Sequence, residues 1–188
     1  MKLYKRVISG RFKGVKIELP SKSTTRSSKT IVLESYFNTL QFEIVESTFI
    51  ELFAGSGSVG IEALSRGASK ILFFEQDREA LKRLRSNINL VEPNSCTVIA
   101  GDTFENFPRS ICAIGGRSYF YIDPPFSIRE NQDQIYAKMV KLIESIPSEL
   151  VELITVEHMS ALDLPDSIAT FKLIKSKRFG KTTLSYYR

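Results

Sequence analysis

Residues 51–60 read ELFAGSGSVG, and this stretch decides the fold. It carries the spacing G-x-G-x-x-G at Gly55, Gly57 and Gly60, directly after the compact apolar run TFIELF. The helical pattern SVGIEALSRGA follows and ends at Gly67. A glycine-rich turn between a strand and a helix lets a ligand approach the backbone closely. The spacing therefore predicts a cofactor site in an α/β protein.

Strands and helices alternate after this turn. The runs KILFFEQ, CTVIAGD, SYFYID and ELITVEH are strand-like, with one helical pattern between the first two runs and another between the last two. This alternation predicts one α/β domain with a parallel sheet covered by helices on both faces. A helical stripe from Leu33 to Leu40 precedes the first of these strands, and Asp77 is placed to cap the helix that carries Leu84. Two strand-like runs around Gly180 predict a closing antiparallel hairpin.

The N-terminal segment reads differently from the rest. RVISGRFKGVKIELP alternates apolar and polar residues around a turn between Gly10 and Gly14, which predicts a β-hairpin. We therefore expect a basic hairpin extension over residues 1–28 and one α/β domain over residues 29–188. No internal repeat or low-complexity linker interrupts that domain.

The net charge of +5 conceals a segregation of charge along the chain. Residues 1–31 hold nine Lys or Arg and one acid, and residues 172–188 hold six and no acid. The stretch between them has a net charge of −9. Basic ends around an acidic body favour a polyanionic partner such as nucleic acid. The alternative is that the charged flanks only maintain solubility.

Several classes of protein are disfavoured. No apolar window approaches the length of a membrane span, and the N-terminus lacks the apolar core of a signal peptide. Cys96 and Cys112 form no CxxC pattern and have no neighbouring histidine, so we expect reduced thiols and no metal site. These features favour a cytoplasmic protein, and nothing in the sequence demands more than a monomer.

Two adenosine-bearing cofactors fit the glycine turn. Glu75 ends the next strand, 20 residues after Gly55, where an acid binds the ribose hydroxyls of a dinucleotide. S-adenosylmethionine also has a ribose, and Glu51 is placed to meet its ammonium group directly or through water. Asp102 is placed either to accept from the adenine amino group or only to cap a turn. A tight turn that binds nothing is the remaining alternative.

The stretch FYIDPPFS separates the two cofactors. Two prolines stop the strand and stiffen the turn, so that Asp123 and the carbonyl of Pro124 are held in place before a substrate arrives. These two acceptors suit an exocyclic amine, whose delocalised lone pair must be oriented towards a methyl donor. Phe126 offers a ring on which an extruded base can stack. A dehydrogenase needs none of these groups, so the turn favours S-adenosylmethionine.

These motifs resemble those of a known family. RVISGRFKGVKIELP, FNTL, ELFAGSGSVGIEALSRGA, FFEQD, YIDPPF and FGKTTLSYYR are together similar to the bacterial 16S ribosomal RNA guanine-N2 methyltransferases of the RsmD type. The resemblance implies a class I methyltransferase fold, Rossmann-like, with a seven-stranded, mostly parallel sheet. It also implies that residues 29–188 form an S-adenosylmethionine-dependent domain that methylates N2 of one guanine in the small ribosomal subunit or its assembly intermediate.

The resemblance and the charge pattern together define three predicted groups of residues. The predicted target-base site is Asp123, Pro124, Pro125 and Phe126. The predicted cofactor site is Glu51, Phe53, Ala54, Gly55, Gly57, Glu75, Gln76, Asp102 and Thr103. The predicted RNA-binding residues are Lys5, Arg6, Arg11, Lys13, Lys16, Arg26, Lys29, Lys177, Arg178 and Lys181.

One segment departs from the family pattern, and other functions remain open. The family carries Arg-Pro-Thr, then an acid and arginines, where this chain has RSSKTIVLE over residues 26–34. Only Arg26 is retained, so the role of this segment stays open. An adenine-N6 methyltransferase would use the same turn, although no separate domain for reading DNA is visible. A nicotinamide dehydrogenase and a non-catalytic RNA-binding module are the alternatives from other classes.

Overall fold

The computed structural model describes residues 3–20, 26–125 and 132–188. The strands are β1 Leu3–Arg6, β2 Lys16–Leu19, β3 Thr48–Leu52, β4 Lys70–Glu75, β5 Cys96–Ala100, β6 Ser118–Ile122, β7 Val151–Met159, β8 Ser167–Ile168, β9 Phe171–Phe179 and β10 Thr182–Tyr187. The helices are α1 Arg26–Leu40, α2 Ser58–Ser65, α3 Arg78–Ile88, α4 Thr103–Ser110 and α5 Gln132–Glu144.

The main sheet has the strand order β5-β4-β3-β6-β7-β10-β9-β8. Strands β5, β4, β3, β6 and β7 run parallel, and β10 inserts antiparallel between β7 and β9. The predicted Rossmann-like class I fold with an antiparallel C-terminal hairpin is confirmed. The seven predicted strands are present, and the two-residue β8 at the edge is an eighth that no sequence pattern indicated.

Helices cover both faces of the sheet. Helices α1, α2 and α3 contribute to one core cluster, and α4 and α5 contribute to the other. The two clusters separate because successive residues of a strand point to opposite faces, as Phe49 and Ile50 of β3 do. The predicted stripe of α1 is confirmed, since Leu33, Phe37 and Leu40 are buried.

Two glycines of the glycine turn are required by close packing against neighbouring side chains. Gly57 has φ +75°, and a Cβ there would lie 2.3 Å from Leu84 Cδ1. A Cβ at Gly60 would lie 2.4 Å from Phe73 Cε1. Both glycines therefore allow the turn and α2 to lie against β4 and α3. Asp77 accepts from the amide of Ala80 and caps α3, as predicted.

The N-terminal β-hairpin is held against α2 and α3. The buried Glu62 of α2 accepts from the amides of Ile8 and Ser9 at 2.7 and 3.1 Å. The side-chain Oδ1 of Asn87 in α3 accepts from the amide of Glu18. Its Nδ2 donates to the carbonyl of Glu18 and to the carbonyl of Ser56 in the glycine turn. The hairpin is thus positioned over the glycine turn, and its division from the rest at residue 28 stays a prediction.

The structure bears on two features considered from the sequence, a membrane-spanning helix and a metal site. In the described parts of the chain, no helix has the length and apolar character needed to cross a bilayer. Across those same residues, no group of three or more His, Cys, Asp or Glu side chains is arranged to hold a metal ion.

Candidate active site

A cavity of about 550 Å³ opens at the carboxyl edge of β3, β6 and β7. The strand ends and the glycine turn form one wall, which includes Glu51, Gly55 and Asp123. The hairpin forms the facing wall, which includes Lys5 and Arg6. Ligands of parallel α/β sheets bind at this edge, and the volume is typical of a small-molecule pocket. The structure thus brings Asp123 of the predicted target-base site into one space with four of the nine predicted cofactor residues, which are Glu51, Phe53, Ala54 and Gly55.

Glu51 is a buried carboxyl group in this cavity. Its Oε2 accepts from the amide of Gly60 at 2.7 Å. Burial, with a smaller contribution from the charge of Asp123, raises the pKa of Glu51 from its usual 4.5 to about 8. The amides of Gly60 and Val59 and the ammonium of Lys5 act in the opposite direction on the same pKa. A cation that entered the cavity would favour the ionised form of Glu51.

Gly55 provides a cradle beside Glu51. Its φ is +55°, and a Cβ added there would project into open space. Phe53 also has a positive φ, of 63°, and its ring lies 5.1 Å from the ring of Phe104 in α4. A left-handed conformation at a phenylalanine is strained and occurs where the surrounding structure requires it. The turn therefore presents bare backbone towards the cavity.

Glu75 holds the glycine turn in place. Its Oε2 accepts from the amide of Gly55 at 2.6 Å, and its Oε1 accepts from the amides of Gln76 and Asp77 at 2.8 and 2.7 Å. Each carboxylate oxygen has two lone pairs, so Oε2 retains capacity for one further donor such as a ribose hydroxyl. Neither Glu75 nor Gln76 belongs to the cavity lining, which lies on the Glu51 side of the turn.

Asp102 and Thr103 also lie outside the cavity lining. Asp102 is exposed, and its Oδ1 accepts from the amide of Phe104 at 2.8 Å, so the residue caps α4. Capping a turn was one of the two roles that the sequence left open for Asp102. The capping bond uses only Oδ1 of the carboxyl group. Thr103 is buried, and within the described residues its hydroxyl has no hydrogen-bond partner.

The proline turn begins directly at the end of β6. The amide of Asp123 donates to the carbonyl of Leu52 at 3.4 Å, which continues the alignment of β6 with β3. Pro124 is buried and Pro125 is exposed. Phe126 lies outside the described residues. The side chain of Asp123 is partly exposed and lines the cavity, as the prediction for this turn requires.

Sequence reasoning missed a hydrogen-bonded pair of cavity residues, Tyr121 and Glu157. Glu157 of β7 is 6% exposed, and its Oε2 accepts from the hydroxyl of Tyr121 at 2.5 Å. Burial and the charges of Glu157 and Asp123 raise the pKa of Tyr121 well above its usual range. The only signal in the sequence was the position of Glu157 near the end of ELITVEH, at the edge where parallel strands end together.

The predicted RNA-binding residues lie on both basic ends. Their exposed members are Arg6, Arg11, Lys13, Lys16, Lys177, Arg178 and Lys181, whereas Lys5 is partly buried in the cavity wall. Arg11 forms an ion pair with Glu92 and is therefore engaged within the protein. Arg26 and Lys29 lie in the first turn of α1, and their side chains are outside the described part of the structure.

Part of each basic end lies at the same edge of the sheet. Thr182 pairs with both Met159 and Phe179, so the turn between β9 and β10 lies beyond the end of β7. That end is also the edge at which β6 leads into Asp123. The cavity wall that includes Lys5 and Arg6 and the turn around Gly180 thus lie at one edge of the sheet, which could not be foreseen from their positions in the sequence. The hairpin turn lies instead at the C-terminal end of α2, where the amide of Arg11 donates to the carbonyl of Ser65.

Comparison with known proteins identifies the family. A sequence profile described as "Conserved hypothetical protein 95" matches residues 5–188. The chain belongs to this family. It is 28% identical to "Putative rRNA methyltransferase YlbH" of Bacillus subtilis, over 97% of this chain and 98% of that protein. It is also 28% identical to "Ribosomal RNA small subunit methyltransferase D" of Escherichia coli, over 97% of this chain and 89% of that protein.

Solved structures agree with this assignment. "Putative methyltransferase yhhF from Escherichia coli" superposes with a TM-score of 0.77 and 26% identity, and the match covers 98% of this chain and 97% of that one. The resemblance to the RsmD type stated from the motifs is therefore confirmed for the family and for the fold. These relatives each match this chain over 89–98% of their own length, so the similarity extends over both the basic hairpin and the main sheet.

Proposed function

We propose that this protein transfers a methyl group from S-adenosylmethionine to the exocyclic N2 of a guanine in 16S ribosomal RNA. The observation that carries the proposal is that Asp123, on its proline turn, lines the same cavity as Gly55 and Glu51. A target amine held by the turn and a methyl donor held by the glycine turn would then meet in one space. The names of the relatives support methylation of ribosomal RNA, and guanine N2 is the more specific step of the proposal.

The residues of the cavity fit S-adenosylmethionine. The open space at Gly55 is where a Cβ would project, so the backbone there can approach a ligand without a side chain in between. Glu51 is a buried carboxyl group that a ligand ammonium would complement. The unused capacity of Glu75 Oε2 suits a ribose hydroxyl on the other side of the turn. Phe53, Ala54, Gln76, Asp102 and Thr103 complete the proposed cofactor site.

Positioning is the main chemical task of this site. S-adenosylmethionine supplies an electrophilic methyl group on a sulfonium. The carboxylate of Asp123 and the carbonyl of Pro124 accept from the two hydrogens of the amine and direct its lone pair. As the nitrogen–carbon bond forms and the sulfur–carbon bond breaks, positive charge develops on nitrogen, and both acceptors bind more strongly. The methylated nitrogen then loses one proton to water. We assign Phe126 as the stacking partner of the base and Pro125 as the residue that stiffens the turn.

The RNA is the proposed partner of the basic ends. Arg6 lines the cavity and the cations of the turn around Gly180 lie at the same edge of the sheet, where phosphates on either side of an extruded nucleotide would pass. We propose the small ribosomal subunit or its assembly intermediate as the substrate and a cytoplasmic monomer as the working form. Residues 1–28 then serve as an RNA-gripping extension of the catalytic domain over residues 29–188.

The test is methyl transfer from labelled S-adenosylmethionine to small subunits that lack the modification. Replacing Asp123 by Asn or Ala should lower kcat by about 10²–10³-fold, because a preorganised charged acceptor is removed. Binding of S-adenosylmethionine should stay close to that of the wild type. The matched control is Asp163→Asn in an exposed loop, which should behave as the wild type. Full activity of Asp123→Ala would refute the assigned role.

A further inference from the structure

We propose that Glu157 selects guanine by accepting a hydrogen bond from the N1–H of the target base. This inference rests on the proposed function of the same cavity and deepens it by naming the group that distinguishes guanine from adenine. Asp123 and Pro124 alone cannot make this distinction, because both bases carry an exocyclic amine with two hydrogens. A second acceptor beside the amine is needed to read the neighbouring ring nitrogen.

The strand register places this second acceptor beside Asp123. Ile122 of β6 pairs with Val156 of β7, so Asp123 and Glu157 follow at the next position on neighbouring strands. Neighbouring strands lie about 4.8 Å apart. Alternation puts Tyr121 and Asp123 on one face of β6, and the hydrogen bond from Tyr121 shows that Glu157 lies on that same face. Both carboxyl groups line the cavity.

Tyr121 orients the carboxylate of Glu157. Its hydroxyl occupies Oε2, and its ring is fixed by an edge contact with the buried ring of Tyr36 at 4.9 Å between centroids. Glu157 itself is 6% exposed, so few orientations are open to its side chain. Within the described residues, the side chain of Glu157 accepts its hydrogen bond from Tyr121 through Oε2, which leaves Oε1 for a donor that enters the cavity.

The edge of the base explains why a carboxylate would select guanine. Guanine presents N1–H beside its N2 amine, which gives a row of donors that two adjacent acceptors can satisfy. Adenine presents N1 as an acceptor beside its N6 amine. A carboxyl oxygen that faced this nitrogen would lose its hydrogen bond and meet another lone pair in a largely buried site. A site built to bind a donor rejects an analogue that lacks it.

A purely structural role for the Tyr121–Glu157 pair predicts a different result. A structural pair would stabilise the junction of β6 and β7 and would be indifferent to the base in the cavity. If Glu157 instead recognises the N1–H of guanine, replacing its carboxylate by an amide in Glu157→Gln must change the preference between target bases. The experiment must therefore measure a preference, in addition to activity.

The experiment compares two target bases in the assembled substrate. The nucleotide that the wild type methylates is first located, and small subunits are then built with either guanine or 2-aminopurine at that position. 2-Aminopurine keeps the amine of guanine, but its N1 carries no hydrogen. The quantities measured are kcat and KM for the wild type, for Glu157→Gln and for the control Glu152→Gln. Glu152 lies at the opposite end of β7, where it pairs with Arg117.

We expect the wild type to prefer guanine by about 10–100-fold in kcat/KM, as a hydrogen bond to a charged group suggests. In Glu157→Gln the amide can donate to the bare N1, so the preference should fall by at least about tenfold. Glu152→Gln should keep the wild-type preference. Equal preferences in the wild type and Glu157→Gln would overturn the assignment.

Two further results separate the possible failures. Equal rates of the wild type on guanine and 2-aminopurine would also overturn the assignment, and this arm does not depend on the folding of any variant. If the wild type methylates no guanine in ordinary small subunits, the proposed function itself fails. If it does methylate guanine, an unchanged preference in the variant counts only against Glu157.

Discussion

Replacing Glu51 by Gln should stabilise the protein at high pH. The carboxyl group of Glu51 is buried, and burial raises its pKa to about 8. Gln has nearly the same shape, its carbonyl can accept from the amide of Gly60 as Glu51 does, and it cannot ionise. The variant therefore removes the cost of a buried negative charge and retains the hydrogen bond that holds α2.

The size and the sign of the effect follow from the two pKa values of Glu51. A folded-state pKa raised from 4.5 to about 8 means that the folded protein binds the proton more tightly. This contribution to the free energy of unfolding is fully present below pH 4.5 and disappears as the pH rises through 8. At about 1.4 kcal/mol per pH unit, the decrease reaches at most about 5 kcal/mol. For a chain of this size, that corresponds to about 10–20 °C in Tm.

The assay is thermal unfolding of the wild type, Glu51→Gln and the exposed control Glu144→Gln at pH 5 and pH 9. The difference in Tm between Glu51→Gln and the wild type should grow from pH 5 to pH 9, and the control should show no such growth. A difference that stays equal at both pH values would refute the burial argument. S-adenosylmethionine at pH 8 should raise the Tm of the wild type and should raise that of Glu51→Gln much less, because the proposed partner of its ammonium is absent.

Two further predictions concern the glycine turn and the basic ends. Gly57→Ala should lower stability by about 1–3 kcal/mol, because its Cβ would lie 2.3 Å from Leu84 Cδ1. Gly55→Ala should lower stability by only about 1 kcal/mol but should weaken binding of S-adenosylmethionine. Thermal unfolding and a binding titration check the two variants. A larger loss of stability in Gly55→Ala than in Gly57→Ala, with unchanged cofactor binding in Gly55→Ala, would contradict these roles. Replacing Lys177 and Arg178 by Ala should reduce the slope of log affinity for RNA against log salt by about 0.7–0.9 for each phosphate that the variant no longer neutralises. An unchanged slope would contradict the proposed RNA surface, and Lys70→Ala at the opposite edge of the sheet is the control.

The parts of the fold that could be predicted are those with a local signal. The parallel strands, the closing hairpin and the stripe of α1 each leave a periodic pattern in the chain. Helix α4 was not foreseen, because it is short and contains Pro108. The two-residue β8 is too short to show alternation. Such elements depend on packing with distant parts of the chain.

The residues of the candidate site also divide into those with a local sequence signal and those placed by contacts between distant parts of the chain. The acids at Glu51 and Asp123 stand beside glycine and proline turns, which mark them in the sequence. Glu157 stands in an ordinary strand, and its relation to Asp123 comes from the register between β6 and β7. The approach of Lys5 to the cavity depends on hydrogen bonds that join the hairpin to α2 and α3. Contacts of this kind have no signature in a single sequence.

The central claim is that the proline turn presents an extruded guanine to a methyl donor. The most direct test is to incubate the protein with unmodified small subunits and labelled S-adenosylmethionine, digest the RNA, and identify the labelled nucleoside by mass spectrometry. We expect the label in N2-methylguanosine, and Asp123→Ala should lower its rate of formation by about 10²–10³-fold. Label in N6-methyladenosine, or no transfer to RNA by the wild-type protein, would contradict the claim.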